Sequence, residues 1–364
     1  ILKFRSIYKI LIKTMKIVIE RGNLMKKFMN IFLVFAMIFS MVFQSSGRAS
    51  AQEYPNNVIT GARITDLSDQ PITGNNIGAW RAFRVHATYA LPDHAVHDGD
   101  KTILTLPVGF AAAPPDTFDV TADSDVVAKG RLIDGNPVKL ELTYTNYVDT
   151  HSNMQGSFYF NIQINGDTQP NTGNIPVTLT AKDGQVTDAG TVPFNPPPVT
   201  PVKFIKGAWM VGKDKTVGGY KLSINQNNEA MTGVALVDEL VTPGVRYIEY
   251  NENNENNEYK FQILEGKWVK NPTNTDIKLT EERDVTKKYI NANKVSFQGN
   301  RFTIAIGDIP AGKGMQVRYF TKISYEPVVG EVFKNEAELD VGGNTEKAKA
   351  SYNITGAGGS GQGY

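Results

Sequence analysis

The chain has 364 residues, no cysteine, four histidines and a formal net charge of +1. That length allows two ordinary domains beyond a targeting segment, and the missing cysteines remove disulfides and thiolate metal sites. The first 51 residues hold nine Lys/Arg and one Glu, leaving 29 basic against 36 acidic residues, a net of −7; a nucleic-acid partner would need a basic patch, so none is expected.

In chain order, Lys26 and Lys27 precede an apolar run from Phe28 to Phe43, and Ala49-Ser50-Ala51 follows. This is the pattern of a secretory signal peptide cut after Ala51, and the run is short for a membrane anchor. Residues 1–24 lie upstream of Met25 and read as a start-site misassignment. His86, His94, His97 and His151 all sit in polar surroundings. His94 and His97 lie among Asp93, Asp98 and Asp100, which read as an acidic loop rather than a metal site. No cofactor is expected.

Alternating apolar and polar residues recur in short runs separated by Gly, Pro, Asn and Asp: Ile103 to Leu106, Leu140 to Asn146, Phe158 to Ile164, Tyr220 to Ile224, Phe302 to Ile306, Val317 to Ile323 and Ala348 to Ile354. Helical periodicity is scarce. The expected fold is all-β, two Ig-like β-sandwich domains rather than an α/β enzyme. FNPPPVTP, from Phe194 to Pro201, is the natural joint, because consecutive prolines stiffen a short linker. The first domain is placed at residues 52–197 and the second at 198–354. The first carries 8 basic and 16 acidic residues, the second 21 and 20. The low-complexity NENNENNE (Asn251 to Glu258) reads as a solvated loop. The ending TGAGGSGQGY is small and uncharged, which suits either a flexible linker or a segment that threads a narrow groove.

Three polar residues of the second domain fall on apolar faces. Lys206 has the parity of Phe204, Ala208 and Met210; Asp238 that of Val234, Leu236 and Leu240; Asn335 that of Phe333, Ala337 and Leu339. Strand side chains alternate faces, so all three should point into the core, where a solitary lysine would cost several kcal/mol. Burial would free Lys206 as a neutral amine able to attack the Asn335 carboxamide. Asp238 would bind that carbonyl and shuttle the proton as ammonia leaves. By analogy with disulfide loops, such a cross-link across about 130 residues would stabilise by about 5 kcal/mol. A buried Lys–Asp ion pair with Asn as its neighbour fits the same parity.

FIKGAWM, GGYKLSIN, ALVDEL and VRYFTKISYEPVVGEVFKNEAEL resemble the collagen-binding domain of Gram-positive surface adhesins. The resemblance implies a spontaneous isopeptide bond between Lys206 and Asn335, with Asp238 as proton shuttle. LTYTNYVDTH is similar to the partner domain's TYTFTDYVD-type segment, shortened by two positions. The resemblance makes Tyr144, Tyr147, Val148 and Asp149 the border of a groove for a carboxy-terminal latch, here Thr355, Gly356, Ala357, Gly358, Gly359, Ser360 and Gly361. The first domain lacks a lysine in its opening strand, VITGARITDL, so no second cross-link is expected there. The family's wall-sorting signal does not occur in these residues, so cell-wall attachment is expected through a downstream region. The resemblance implies a monomeric, secreted, surface-held adhesin that closes around an extended host matrix protein lying in the trench between the two domains, under the FNPPPVTP linker, with collagen favoured and fibrinogen the alternative. A load-bearing pilus or stalk subunit is the structural alternative. No Ser–His–Asp setting, phosphate loop or metal-ligand spacing points to an enzyme.

Overall fold

The alternation around residues 59–194 produces ten strands: β1 (Ile59–Thr65), β2 (Ala82–Ala90), β3 (Lys101–Thr105), β4 (Phe110–Ala113), β5 (Thr117–Ala122), β6 (Asp125–Ile133), β7 (Lys139–Tyr144), β8 (Gln155–Ile164), β9 (Gly173–Thr180) and β10 (Val186–Phe194). In the computed structural model the described residues are 51–72, 77–254, 257–272 and 275–364; the expected signal peptide, Ala51 apart, lies outside them. One turn of helix, α1 (Tyr147–Thr150), separates β7 from β8.

The second half follows with β11 (Phe204–Met210), β12 (Val217–Ile224), β13 (Met231–Leu240), β14 (Val245–Tyr247), β15 (Gln262–Lys270), β16 (Ile277–Asp284), the short helix α2 (Thr286–Asn291), β17 (Val295–Gln298), β18 (Arg301–Ile309), β19 (Gly314–Ile323), β20 (Val332–Val341) and β21 (Asn344–Asn353). The last strand, β22 (Gly358–Gln362), belongs to the tail. The fold is all-β, of Ig-like sandwich type.

The first-half strands run in the order β1-β2-β8-β22-β5-β6-β7-β3-β9-β10, with β4 beside β8. Strand β10 packs back on β1, which closes the sheet around one core. On β8 the side chains of Phe158, Phe160, Ile162 and Ile164 enter that core, as a period of two requires. The second half forms two sheets, β11-β12-β19-β15-β16 with β14 beside β19, and β17-β18-β13-β20-β21. A separate core lies between them. Residues 195–203, rich in proline, connect the two halves without a strand. Both halves lie in one unit, Glu53–Tyr364. They touch through Asp116 N–H donating to the Gly212 carbonyl at 3.1 Å. They also touch where the Trp80 indole donates to Asp276 at 2.9 Å, the Asn271 amide donates to the Gly166 carbonyl at 2.7 Å, and Lys278 pairs with Asp167 at 2.6 Å.

Candidate functional site

Strand parity brings Lys206 from β11 to face Asp238 on β13 and Asn335 on β20 across the second core. The side chains of Lys206 and Asp238 are both 0% exposed, and Asn335 is equally buried. The ammonium group of Lys206 donates to Asp238 Oδ2 and, at 2.6 Å, to the hydroxyl of Tyr319 on β19. That hydroxyl donates to Asp238 Oδ2 at 2.6 Å and accepts from Asn335 Nδ2 at 3.1 Å. One phenol therefore touches all three. Tyr247 on β14 donates to the other oxygen, Asp238 Oδ1, at 2.8 Å.

The electrostatics follow from burial. Loss of water lowers the Lys206 pKa, and the attraction of Asp238 opposes that shift without cancelling it. Burial, then the Asp238 charge, pushes the Tyr319 phenol well above its ordinary range, so it stays protonated and donates. The Asn335 carbonyl oxygen is buried with no hydrogen-bond donor among the described residues. An orphaned buried acceptor costs about 1–3 kcal/mol. The arrangement can pass a proton from amine to carboxylate and hold a carboxamide beside the resulting amine. Tyr319 and Tyr247 are absent from the sequence reading. The parity that selected Lys206 also turns Tyr319 inward, but an inward tyrosine is ordinary in a core and raises no question by itself.

The second constellation is the tail. Its entry is fixed by Thr355, whose hydroxyl donates to the Pro114 carbonyl at 2.6 Å, and by the Gly356 carbonyl, which accepts from Asn161 Nδ2 at 3.1 Å. Ala357 then packs on the first core. From Gly358 to Gln362 the chain is a strand antiparallel to β8, with Gly359 opposite Phe158 and Gly361 opposite Gly156. On its other side Gly359 and Ser360 pair in parallel with Val120 and Thr121 of β5. A Cβ on Gly359 would meet the Ser157 carbonyl oxygen at 2.6 Å, and one on Gly361 the Tyr89 hydroxyl at 2.5 Å. Glycine at these alternate positions is a requirement of close approach.

The expected groove lining differs. Both edges of β7 are occupied, by β3 and β6, so the tail's main-chain bonds go to β8 and β5 instead. Tyr144 is buried and shares a 2.8 Å hydrogen bond with Thr102. Tyr147 stacks on His151 with centroids 3.7 Å apart, and Val148 fills the core. Asp149 faces the acidic loop, where it contacts His97 Nδ1 at 2.8 Å and accepts from the Asp98 N–H at 3.1 Å. Just beyond this turn the tail ends at Tyr364, whose N–H and carbonyl exchange hydrogen bonds with Ser152.

Between the sandwiches runs an open space whose lining residues the sequence did not name. Two cavities, of about 470 and 800 Å³, meet at Trp80, Gln163 and Trp209. The outer face of the second sandwich offers Trp209 edge-on to Phe320 at 6.2 Å, and Phe320 lies 5.3 Å from Tyr259. Trp80 approaches from the first sandwich. Trp80 and Trp209 keep 39% and 37% of their surface in water, unusual for so large an apolar ring. The signal was available: Trp209 has the parity opposite to Lys206 and Met210, which turns it outward. At one mouth stand Asp116 and Asp134, where burial and then the Asp134 charge raise the Asp116 pKa. At the other stand Arg81, Lys221 and Lys349.

Residues 76–174 match the family model of a bacterial Ig domain. No curated protein matches the chain in sequence. Among solved structures, the collagen adhesin of S. aureus superposes with a TM-score of 0.59 at 15% identity, covering 87% of this chain and 99% of that one. Two serine-rich repeat proteins of Streptococcus agalactiae are also similar. The adhesion glycoprotein gives 0.53 at 14% identity (81% and 96% covered), and its counterpart 0.54 at 12% (84% and 96%). The first of these is named a collagen adhesin and the second an adhesion glycoprotein. Residues 53–364 thus share the two-sandwich fold of these solved adhesin structures.

Proposed function

We propose that this chain is an extracellular adhesin that encloses an extended host matrix polypeptide between its two sandwiches and secures it with residues 355–364. The carrying observation is the tail: it leaves the second sandwich, passes the inter-sandwich space and completes the first sheet between β8 and β5. Main-chain pairing at a strand edge holds a segment irrespective of its side chains. A ligand enclosed in this way leaves only after the tail detaches, so tail pairing acts through slow dissociation. Collagen is the favoured ligand because the S. aureus neighbour is a collagen adhesin; fibrinogen-type peptides are the alternative.

In this reading the Lys206 cluster matures once per molecule. A proton passes from the ammonium to Asp238, and the neutral amine attacks Asn335 Cγ. Asp238 returns the proton to Nδ2, the C–N bond breaks and ammonia departs, while the new amide nitrogen sheds its extra proton to Asp238, which ends protonated and neutral. The product amide ties the first and second sheets of the second sandwich and removes a buried charge. Binding to immobilised collagen and fibrinogen, with and without residues 355–364, tests the reading. Loss of the slowly dissociating complex on tail removal is expected; unchanged dissociation overturns the latch, and no binding to either protein overturns the ligand class.

A further inference from the structure

The space between the sandwiches is electrically lopsided. Asp116 and Asp134 stand at one mouth, and their side chains have no hydrogen-bond or ion-pair partner among the described residues. Lys213 beside them is already paired with Glu258 at 3.1 Å. Arg81 and Lys221 stand at the other mouth, likewise without partners among the described residues, whereas Lys349 is paired with Glu336 at 2.7 Å. Two unpaired anions therefore line one cavity and two unpaired cations the adjoining one; Trp80 and Trp209 line both, and Phe320 and Tyr259 line the first.

Unpaired like charges held together at a surface repel one another, and an opposite charge brought by a ligand relieves that repulsion. The aromatic faces between them offer apolar, weakly directional contact suited to prolyl rings and aliphatic side chains. Resting on the adhesin reading above, we propose that the passage selects a zwitterionic segment: an extended, proline-rich polypeptide with an acidic side chain at the Arg81–Lys221 mouth and a basic side chain at the Asp116–Asp134 mouth. A uniformly acidic or uniformly basic polymer is attracted by one mouth and repelled by the other.

The test uses the whole chain and synthetic proline-rich peptides in which two guest residues are separated by a graded number of positions. The guests are Glu and Lys, Gln and Gln, Glu and Glu, or Lys and Lys. At low salt the Glu/Lys series should bind about tenfold tighter than the others, with the margin shrinking as salt rises. The double variant Arg81→Glu/Lys221→Glu makes both mouths acidic, so its preference should switch to Lys/Lys. Asp116→Lys/Asp134→Lys should switch it to Glu/Glu. A switch in preference cannot come from a misfolded protein. Equal binding of all four series, or variants that weaken all series alike, overturns the charge rule while collagen or fibrinogen binding leaves the adhesin reading standing. Failure of wild type to bind any peptide and both immobilised proteins overturns both.

Discussion

A single phenol, Tyr319, touches a lysine, an aspartate and an asparagine that lie on three other strands. If the amide forms, the purified protein should be one ammonia lighter than its sequence by intact mass. Asn335→Ala should restore the full mass balance and cost about 5 kcal/mol, the loop-entropy scale for about 130 residues. Tyr319→Phe keeps the ring but loses the hydroxyl that aligns amine and carboxamide; bond formation should slow, read as the fraction of uncross-linked mass after expression. The pH response of Asn335→Ala follows from Lys206. Its folded pKa is lowered from 10.5 by burial, so between that lowered value and 10.5 the unfolded chain binds more protons. Stability must then rise with pH through this window, and the cross-linked wild type should lack the slope, as denaturation at several alkaline pH values can show. Strand parity located Lys206, Asp238 and Asn335 because a polar residue on an apolar face contradicts its surroundings. It passed over Tyr319 and Tyr247, whose inward rings contradict nothing.

Strand β22 shows how far pattern reading reaches at the level of elements. The stretch from Leu140 to Ile164 contains both β7 and β8, and the tail pairs with the second of them. Side-chain alternation marks a strand but does not say which of its edges is vacant; that depends on which neighbours the whole sheet has already supplied. A glycine-rich segment also lacks the inward and outward side chains that fix register elsewhere, and here register comes from close approach. Glycine at 359 and 361 could have been read as flexibility alone. Gly156 lies on the receiving side, where a Cβ would meet the Ser360 carbonyl oxygen at 2.1 Å. Gly156→Val should therefore block seating of the tail while leaving the β2–β8 pairing intact. The expected result is rapid proteolysis of residues 355–364 with far-ultraviolet dichroism little changed; a protected tail would contradict the assigned pairing.

For the molecule as a whole, the two sandwiches are joined, apart from the Asp116–Gly212 hydrogen bond, by a clasp of three bonds: Trp80 to Asp276, Asn271 to Gly166 and Lys278 to Asp167. Trp80 takes a left-handed backbone with φ of 61°, costly for a bulky residue and sustained by the Ile164 carbonyl, which accepts its N–H at 2.9 Å. Asp276→Ala combined with Lys278→Ala should weaken the clasp by about 1–2 kcal/mol, seen as faster amide exchange over residues 165–169 and a changed Trp80 emission. The sequence could announce two bodies and a proline-rich joint, but not this contact, because its partners are single polar residues about 110 to 200 positions apart. Distance along the chain matters in another way. The slot between β8 and β5 is filled by residues reached some 195 positions after Asn161. A polypeptide made amino end first must therefore leave its earlier sandwich one rib short until the later one has been synthesised, so the order of synthesis itself keeps that slot vacant before it can be filled.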